Sequence, residues 1–154
     1  MRSAARGFTI AELITVIAIV GVLASVALPL ASFGIRRQKE IELHDALRRI
    51  SDGIDRYHDL RVKGVIKAPP AFGQGEYPKT LEEMTKPVEL LDGKKVVFLR
   101  DRDLIDPMTG KKEWHLISST DDPDTSSTNG DNVWDVRSMS TALSLDGRTH
   151  YNEW

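Results

Sequence analysis

The sequence predicts an α+β protein. One long N-terminal helix, transmembrane in its first half and amphipathic in its second, packs against a small C-terminal antiparallel β-meander. Three observations predict this fold. No charged residue occurs from Leu13 through Ile35, apolar residues then recur at helical spacing as far as Leu60, and short β-type runs separated by turn residues follow. A chain of 154 residues has room for one domain plus an anchor.

The uncharged run of 23 residues predicts the first half of the helix. At about 1.5 Å of rise per residue, it is long enough to cross a hydrocarbon core of roughly 30 Å. Arg2 and Arg6 precede it, as in a secretory signal peptide, but the run is longer than an ordinary signal core and Pro29 stands where a small residue is expected. A plain membrane anchor explains the length but not Glu12, because a carboxylate beside a membrane segment is costly and usually has a partner.

The segment GFTIAEL, residues 7–13, resembles the class III signal of type IV pilins and of type II secretion pseudopilins. Members of that family carry a short basic leader, a Gly–Phe junction cut by prepilin peptidase, and a glutamate at the fifth mature position. The resemblance therefore implies cleavage between Gly7 and Phe8, N-methylation of Phe8, and a role for Glu12 in assembly.

The resemblance also implies a homo-oligomeric filament, built with other pseudopilins on an inner-membrane assembly platform. Glu12 of one subunit would neutralise the new ammonium group of Phe8 on its neighbour. Neither charge is well solvated alone in a membrane, so the pair would offset part of that cost and set the axial register. Gly21 and Pro29 fall where the family weakens its helix, and since proline lacks a backbone donor, this stretch can bend or unwind.

Beyond the apolar run the helix continues with one apolar face. The members of this stripe recur at helical spacing: Leu43, Ala46, Leu47, Ile50, Ile54 and Tyr57. With the resemblance, this predicts the ladle fold of pilins, divided into a leader at 1–7, a transmembrane and assembly helix at 8–35, the amphipathic half of that helix at 36–62, and a globular periplasmic domain at 63–154.

Local signals divide the globular domain. Thr80 can cap a short helix, with Glu83 as its capping-box partner. Turn residues and apolar runs then predict a loop at 63–74, a strand or its lead-in at 95–99, a turn at 106–110, strands at 114–117 and 133–136, and a surface loop at 118–131. The YP-x-T segment, the DP-x-x-G turn and the LDG…YNEW ending resemble the major pseudopilins of type II secretion.

Composition narrows the classes of function. Without cysteine there is no disulfide and no thiolate site, and a net charge of −2 with interspersed signs gives no electrostatic reason to expect nucleic acid. No nucleophile elbow, phosphate loop or HExxH segment occurs, so no enzyme is predicted. Packing or surface roles are predicted for the histidines, and packing of the meander onto the helix for the tryptophans: His44, His58, His115, His150, Trp114, Trp134 and Trp154.

The acidic residues near the C-terminus leave the question of a cation open. Many pseudopilins bind calcium in C-terminal loops, and Asp135 and Asp146 are the candidate ligands here, since calcium prefers oxygen donors. The spacing matches no EF-hand, and residues 139–141 are not the acidic or glycine residues that relatives often carry. A solvated loop without an ion is the alternative, and no other cofactor is predicted.

The resemblance implies a structural subunit of the pseudopilus of a type II protein secretion system. It would pass once through the bacterial inner membrane, with a cytoplasmic N-terminus and a periplasmic C-terminal domain. A type IV pilin of a surface fibre is the alternative, although many pilins staple a C-terminal loop with a disulfide that this chain cannot form. A third interpretation is a membrane-anchored periplasmic binding domain that never polymerises, which predicts no processing after Gly7.

Overall fold

The computed structural model of the chain describes residues 7–67, 75–121 and 130–154. Within them lie one long helix and four short strands, which confirms the α+β class: α1 (Ile10–Val62), β1 (Val88–Glu89), β2 (Lys95–Val96), β3 (Trp114–Ile117) and β4 (Asp135–Ser138). Three short 3-10 helices occupy Leu81–Thr85, Asp101–Leu104 and Tyr151–Glu153. The chain divides into two compact units, a first unit of Met1–Gln38 and a second unit of Lys39–Trp154.

The described part of the first unit is helical from Ile10 onward, and its described side chains are all exposed. Gly21 and Pro29 both lie inside α1 and neither ends it. A helix can continue through a proline at the loss of one backbone hydrogen bond. The predicted bending or unwinding at these two positions concerns the assembled state and stays a prediction.

The second unit builds its core on the apolar stripe of α1. Five of the six predicted stripe residues are buried and the sixth, Leu47, is partly buried against them: Leu43, Ala46, Ile50, Ile54 and Tyr57. Gly53 lies on the same side, where an added Cβ would come within 2.8 Å of Leu99 Cδ2. The glycine therefore lets the Leu99 side chain approach α1 closely.

The strands form two separate two-stranded antiparallel sheets. In one, Val88 pairs with Val96; in the other, Trp114 pairs with Ser138. The predicted strand at 133–136 begins two residues later, at Asp135. The reason is that Val133 N–H donates to Pro78 O (2.8 Å), outside the ladder between β3 and β4.

The predicted cap of the first 3-10 helix is present with one difference. Thr80 Oγ1 accepts from Glu83 N–H at 3.4 Å, as predicted, but the Glu83 carboxylate accepts from Lys79 N–H (3.2 Å), one residue before the cap. The helix buries Leu81 and Met84. Met84 O in turn accepts from two backbone amides of the following segment, which fixes that segment against the core.

The predicted turn at 106–110 is confirmed, and its first residue is a buried anchor. Gly110, at a φ of 72°, donates its N–H to Asp106 O (2.7 Å). The Asp106 carboxylate is fully buried and accepts from Met108 N–H and from Ser138 Oγ, both at 2.8 Å. A buried carboxylate is tolerated because such donors replace the water it loses. The turn is thereby tied to β4.

Two predicted loops lie partly outside the described residues, at 68–74 and 122–129. Their described ends are fixed in the second unit. Ile66 forms an isolated antiparallel bridge with Leu90. Asn132, which is buried, accepts from Ser118 Oγ (3.1 Å) at the base of the second loop.

The tryptophans divide between the core and the surface. Trp114 is buried and its indole N–H donates to Leu104 O (2.8 Å), while Trp154 stacks on His44 of α1. The prediction that Trp134 packs onto the helix is wrong, because this side chain is 46% exposed. Its neighbour Val133 takes the buried position instead.

Candidate processing and assembly site

Three hydrogen bonds between Thr9 and Glu12 cap the N-terminal end of α1. Thr9 Oγ1 accepts from Glu12 N–H (3.2 Å), and Glu12 Oε2 accepts from both Thr9 N–H and Thr9 Oγ1, each at 3.0 Å. This is a capping box, in which side chains satisfy backbone donors that the first turn leaves unpaired. The carboxylate also lies near the positive end of the helix dipole. Glu12 therefore has a role within its own chain.

The bond between Gly7 and Phe8 lies just outside the helix. Residues 7–9 have no regular secondary structure, and Phe8 is 85% exposed. Among the described residues, and apart from the chain neighbours of Gly7, no atom lies within 4 Å of the position where a side chain on Gly7 would begin. The described part of this junction is thus exposed and outside the helix, as a scissile bond has to be for a protease to reach it.

The apolar surface of the first unit is bare in the single chain. The helix that carries it is long and apolar enough to cross a membrane, and its apolar window buries nothing within the protein. A shallow apolar groove runs along Ala18, Ile19, Val22 and Leu23. Gly21 has no neighbouring atom that a Cβ would meet. Such a surface requires lipid or another apolar helix to cover it.

Residues 2–28 match the family model of the prokaryotic N-terminal methylation motif. This motif is a prepilin-type signal. It contains Gly7, Phe8, Glu12 and Gly21, stops one residue short of Pro29, and spans less than one fifth of the chain. Among curated proteins and among solved structures, nothing matches the chain significantly.

The methylation motif settles the coarse class of the N-terminus. The chain carries the signal of type IV pilin-like substrates of prepilin peptidase, and the long apolar helix behind it is compatible with single-pass membrane anchoring. Pilins and pseudopilins share this motif, so it does not distinguish between them. The roles of Gly7, Phe8 and Glu12 in cleavage, methylation and assembly stay predictions.

Sequence reasoning missed Thr9, although a signal for it was present. Thr9 and Glu12 have the T-x-x-E spacing of a capping box directly before an apolar run. Glu12 was interpreted only as a partner for another subunit. The structure adds that the same carboxylate is already oriented by Thr9.

The second unit is fastened to α1 by its C-terminal segment, a contact that the sequence did not reveal. The Glu40 carboxylate accepts from Leu145 N–H (2.7 Å) and from Tyr151 Oη (2.9 Å). Trp154 stacks on His44 with ring centroids 4.3 Å apart. We call these five residues the C-terminal clasp. It joins positions more than one hundred residues apart, which no local pattern can indicate.

The two candidate calcium ligands accept hydrogen bonds from residues next to them in the chain. Asp146 Oδ1 accepts from Ser144 Oγ and from Arg148 N–H (2.8 Å). Both bonds lower the pKa of Asp146 below its usual value, and the bond from the Ser144 hydroxyl has the larger effect. Asp135 Oδ1 accepts from Val136 N–H at 2.9 Å.

No group of three or more histidine or acidic side chains converges on a cation position in the described parts of the chain. The assignment of Asp135 and Asp146 as calcium ligands therefore gains no support from these parts. Asp122 and Asp124, two further acids of the same stretch, lie outside the described residues.

Two histidines of α1 make packing contacts. His44 belongs to the C-terminal clasp, and His58 stacks on Tyr77 at 4.3 Å, with its Nε2 3.3 Å from a Glu76 carboxylate oxygen. His150 Nδ1 lies 2.7 Å from Thr141 O. These three contacts agree with the predicted packing or surface roles of the histidines.

Proposed function

We propose that this chain is a major pseudopilin, a structural subunit of the pseudopilus of a type II protein secretion system. Prepilin peptidase would cut between Gly7 and Phe8 and methylate the new amino group of Phe8. The mature subunit would then polymerise from the inner membrane into a periplasmic filament. The observation that carries the proposal is an exposed Gly7–Phe8 junction directly before a capped, uncovered apolar helix.

The geometry of Glu12 supports a charge contact between subunits. Thr9 donates twice to Oε2 of this carboxylate, while Oε1 accepts no hydrogen bond from any described residue. An oriented carboxylate with one free oxygen can accept from the ammonium group of Phe8 on a neighbouring chain. In an apolar environment this bond offsets part of the desolvation of both charges, so it favours one axial register over others.

The second unit supports a secretion filament over a surface fibre. Its C-terminal segment contacts Glu40 and His44 of α1, so this segment is held without the disulfide found in many pilins. The DP-x-x-G turn and the LDG…YNEW ending, which resemble major pseudopilins, occupy the turn at 106–110, whose Asp106 is buried, and the clasp. The unit would then serve as the outer, load-bearing part of the filament.

Intact mass and N-terminal sequencing of the protein from membranes of its own host test the processing step. We expect a chain that begins at Phe8 and carries one additional methyl group. A chain that still begins at Met1, in cells with active prepilin peptidase, would favour the non-polymerising, membrane-anchored binding domain.

Glu12→Gln separates the two roles of Glu12, because glutamine keeps the capping box but removes the charge. We expect Glu12→Gln to insert normally and to be missing from sheared filaments. Thr9→Ala is the matched control, since it removes the threonine hydroxyl from the box but keeps the Glu12 charge, and it should still assemble. Normal filaments from Glu12→Gln would contradict the charge contact.

Deletion of the chain in its host distinguishes a pseudopilus from a pilus. For a pseudopilin we expect exported proteins to accumulate in the periplasm while surface fibres remain. Loss of surface fibres with normal export would instead identify a type IV pilin.

A further inference from the structure

The most exposed large apolar side chain in the described part of the second unit is Leu91, at 68%. It stands at the apex of the hairpin that joins β1 and β2. The backbone there is fixed from two directions, because Leu90 N–H donates to Lys94 O and Leu91 N–H donates to Val65 O, both at 2.8 Å. The hairpin therefore presents an apolar side chain outward on a rigid support.

An amphipathic cleft of about 310 Å³ opens elsewhere on the second unit, between the first 3-10 helix and β3. Its apolar lining consists of Leu81, Trp114, Leu116 and Met139. Met139 is 49% exposed, whereas Leu81 and Trp114 are buried. No residue of the β1–β2 hairpin is among its lining residues, so hairpin and cleft are distinct surfaces.

The cleft carries a small excess of negative charge. Glu82, Glu113 and Lys112 line it. Lys112 is paired with Asp101, and Glu113 has a longer contact of 3.7 Å with Lys111. Three acids thus meet two lysines, and no ion pair involves Glu82 among the described residues.

The hairpin carries the opposite excess. Lys94 pairs with Asp92 (2.9 Å), and Glu89 pairs with Lys67 (2.7 Å). Lys95, which lies opposite Glu89 in the sheet, is an additional exposed lysine close to the apex. Three lysines thus meet two acids around Leu91.

We propose that the cleft of one subunit receives Leu91 of a second copy of this chain, with Lys95 of the incoming hairpin near Glu82. The contact would remove the most exposed apolar side chain of the unit from water and bring opposite charges together. Since hairpin and cleft are different surfaces, the contact is heterologous and leaves one of each free at the two ends of an assembly. It rests on the proposed filament function, to which it adds a contact outside the membrane.

An engineered disulfide tests the contact directly, because the natural chain has no cysteine. The variant combines Leu91→Cys with Met139→Cys in the full chain, and host membranes are treated with a mild oxidant. Both side chains are exposed in the single chain, so neither change disturbs the core. We expect a ladder of disulfide-linked dimers, trimers and longer species.

The matched control combines Leu91→Cys with Leu143→Cys. Leu143 is 43% exposed and does not line the cleft. We expect this pair, and each single cysteine, to give no ladder. In the first variant, Lys95→Glu should diminish the ladder, and Glu82→Lys added to it should restore the ladder.

Sheared filaments are sedimented from the same samples, so that assembly is measured independently of the disulfide. Filaments without a ladder, or an equal ladder from the control pair, would overturn the docking of Leu91 and leave the proposed function standing. Absence of filaments from the unmodified chain would overturn both. A ladder that is indifferent to the charge reversals would contradict the pairing of Lys95 with Glu82.

Discussion

The two parts of α1 are helical for different physical reasons. From Ile10 to Gln38 every described side chain is exposed, so burial within the chain adds nothing to this part, and the Thr9–Glu12 capping box stabilises its start. From Lys39 to Val62 one face is buried in the core of the second unit. The apolar surface of the first part has to be covered by lipid or by another helix, whereas the apolar face of the second part is covered by the rest of the second unit. The same element is therefore uncovered at one end and part of a core at the other.

The sharpest test of this comparison is truncation of one isoleucine in each part. Ile54 is fully buried and Ile17 is 62% exposed. Ile54→Ala should lower the free energy of unfolding of the second unit by about 2–5 kcal/mol, because it removes apolar contacts and leaves a cavity. Ile17→Ala should change it by less than about 0.5 kcal/mol. Urea unfolding of the full chain in detergent, followed by tryptophan fluorescence, measures both; equal effects would contradict the division.

The second test compares the buried Asp106 of the turn at 106–110 with an exposed aspartate. Asp106→Ala leaves the Ser138 hydroxyl and the Met108 amide without their acceptor, and should lower the free energy of unfolding by about 1–3 kcal/mol. Asp92→Ala, which removes an exposed ion pair with Lys94, is the control and should lower the free energy of unfolding much less than Asp106→Ala does. The same urea titration ranks the two variants, and a smaller loss for Asp106→Ala would mean that water replaces the carboxylate.

The cap of the first part should have a smaller and strictly local effect. Thr9→Ala removes the capping box and should cost about 1 kcal/mol at the start of the helix. Hydrogen exchange in detergent should therefore be faster at the first amides of α1 and unchanged at Ile54. Faster exchange along the whole helix would show that its two parts are not independent.

The smallest expected effect depends on pH and is confined to the clasp side of the second unit. The pKa of Asp146 is held below its ordinary value of 3.8 by the Ser144 hydroxyl and the Arg148 backbone amide. A lowered pKa means that this turn gains stability from the ionised carboxylate above pH 3.8, and loses it as the pH falls through the pKa of the folded chain. Exchange of the Arg148 amide should accelerate in that range in the natural chain, and Asp146→Asn should show no such step.

The parts of the fold that could be predicted are those governed by local sequence patterns. The apolar stripe of α1, the Thr80 cap and the turn at 106–110 each follow from residues within a few positions of one another. The start of β4 could not be placed, because the competing bond of Val133 goes to Pro78, more than fifty residues away. Trp134 does not pack onto the helix as predicted, because the smaller Val133 beside it fills the buried position.

The candidate site shows the same limit. Gly7, Phe8 and Glu12 are adjacent in sequence and were found from it, and the methylation motif covers all three. Glu40 has no local signal, because its partners Leu145 and Tyr151 become neighbours only in the folded chain. Asp135 and Asp146 have the right chemistry for calcium, but their hydrogen bonds to nearby backbone amides and to the Ser144 hydroxyl depend on the folded backbone.

The C-terminal clasp has a mechanical consequence. Glu40 and His44 lie in the first turns of α1 within the second unit, and their partners are among the last residues of the chain. The N-terminal side of the second unit is therefore tied directly to its C-terminal end. A pull along the helix from that side loads Glu40 first, and the force then passes both into the C-terminal segment and, through Leu43, into the core. Opening the unit from this end therefore requires the clasp and the core to yield together.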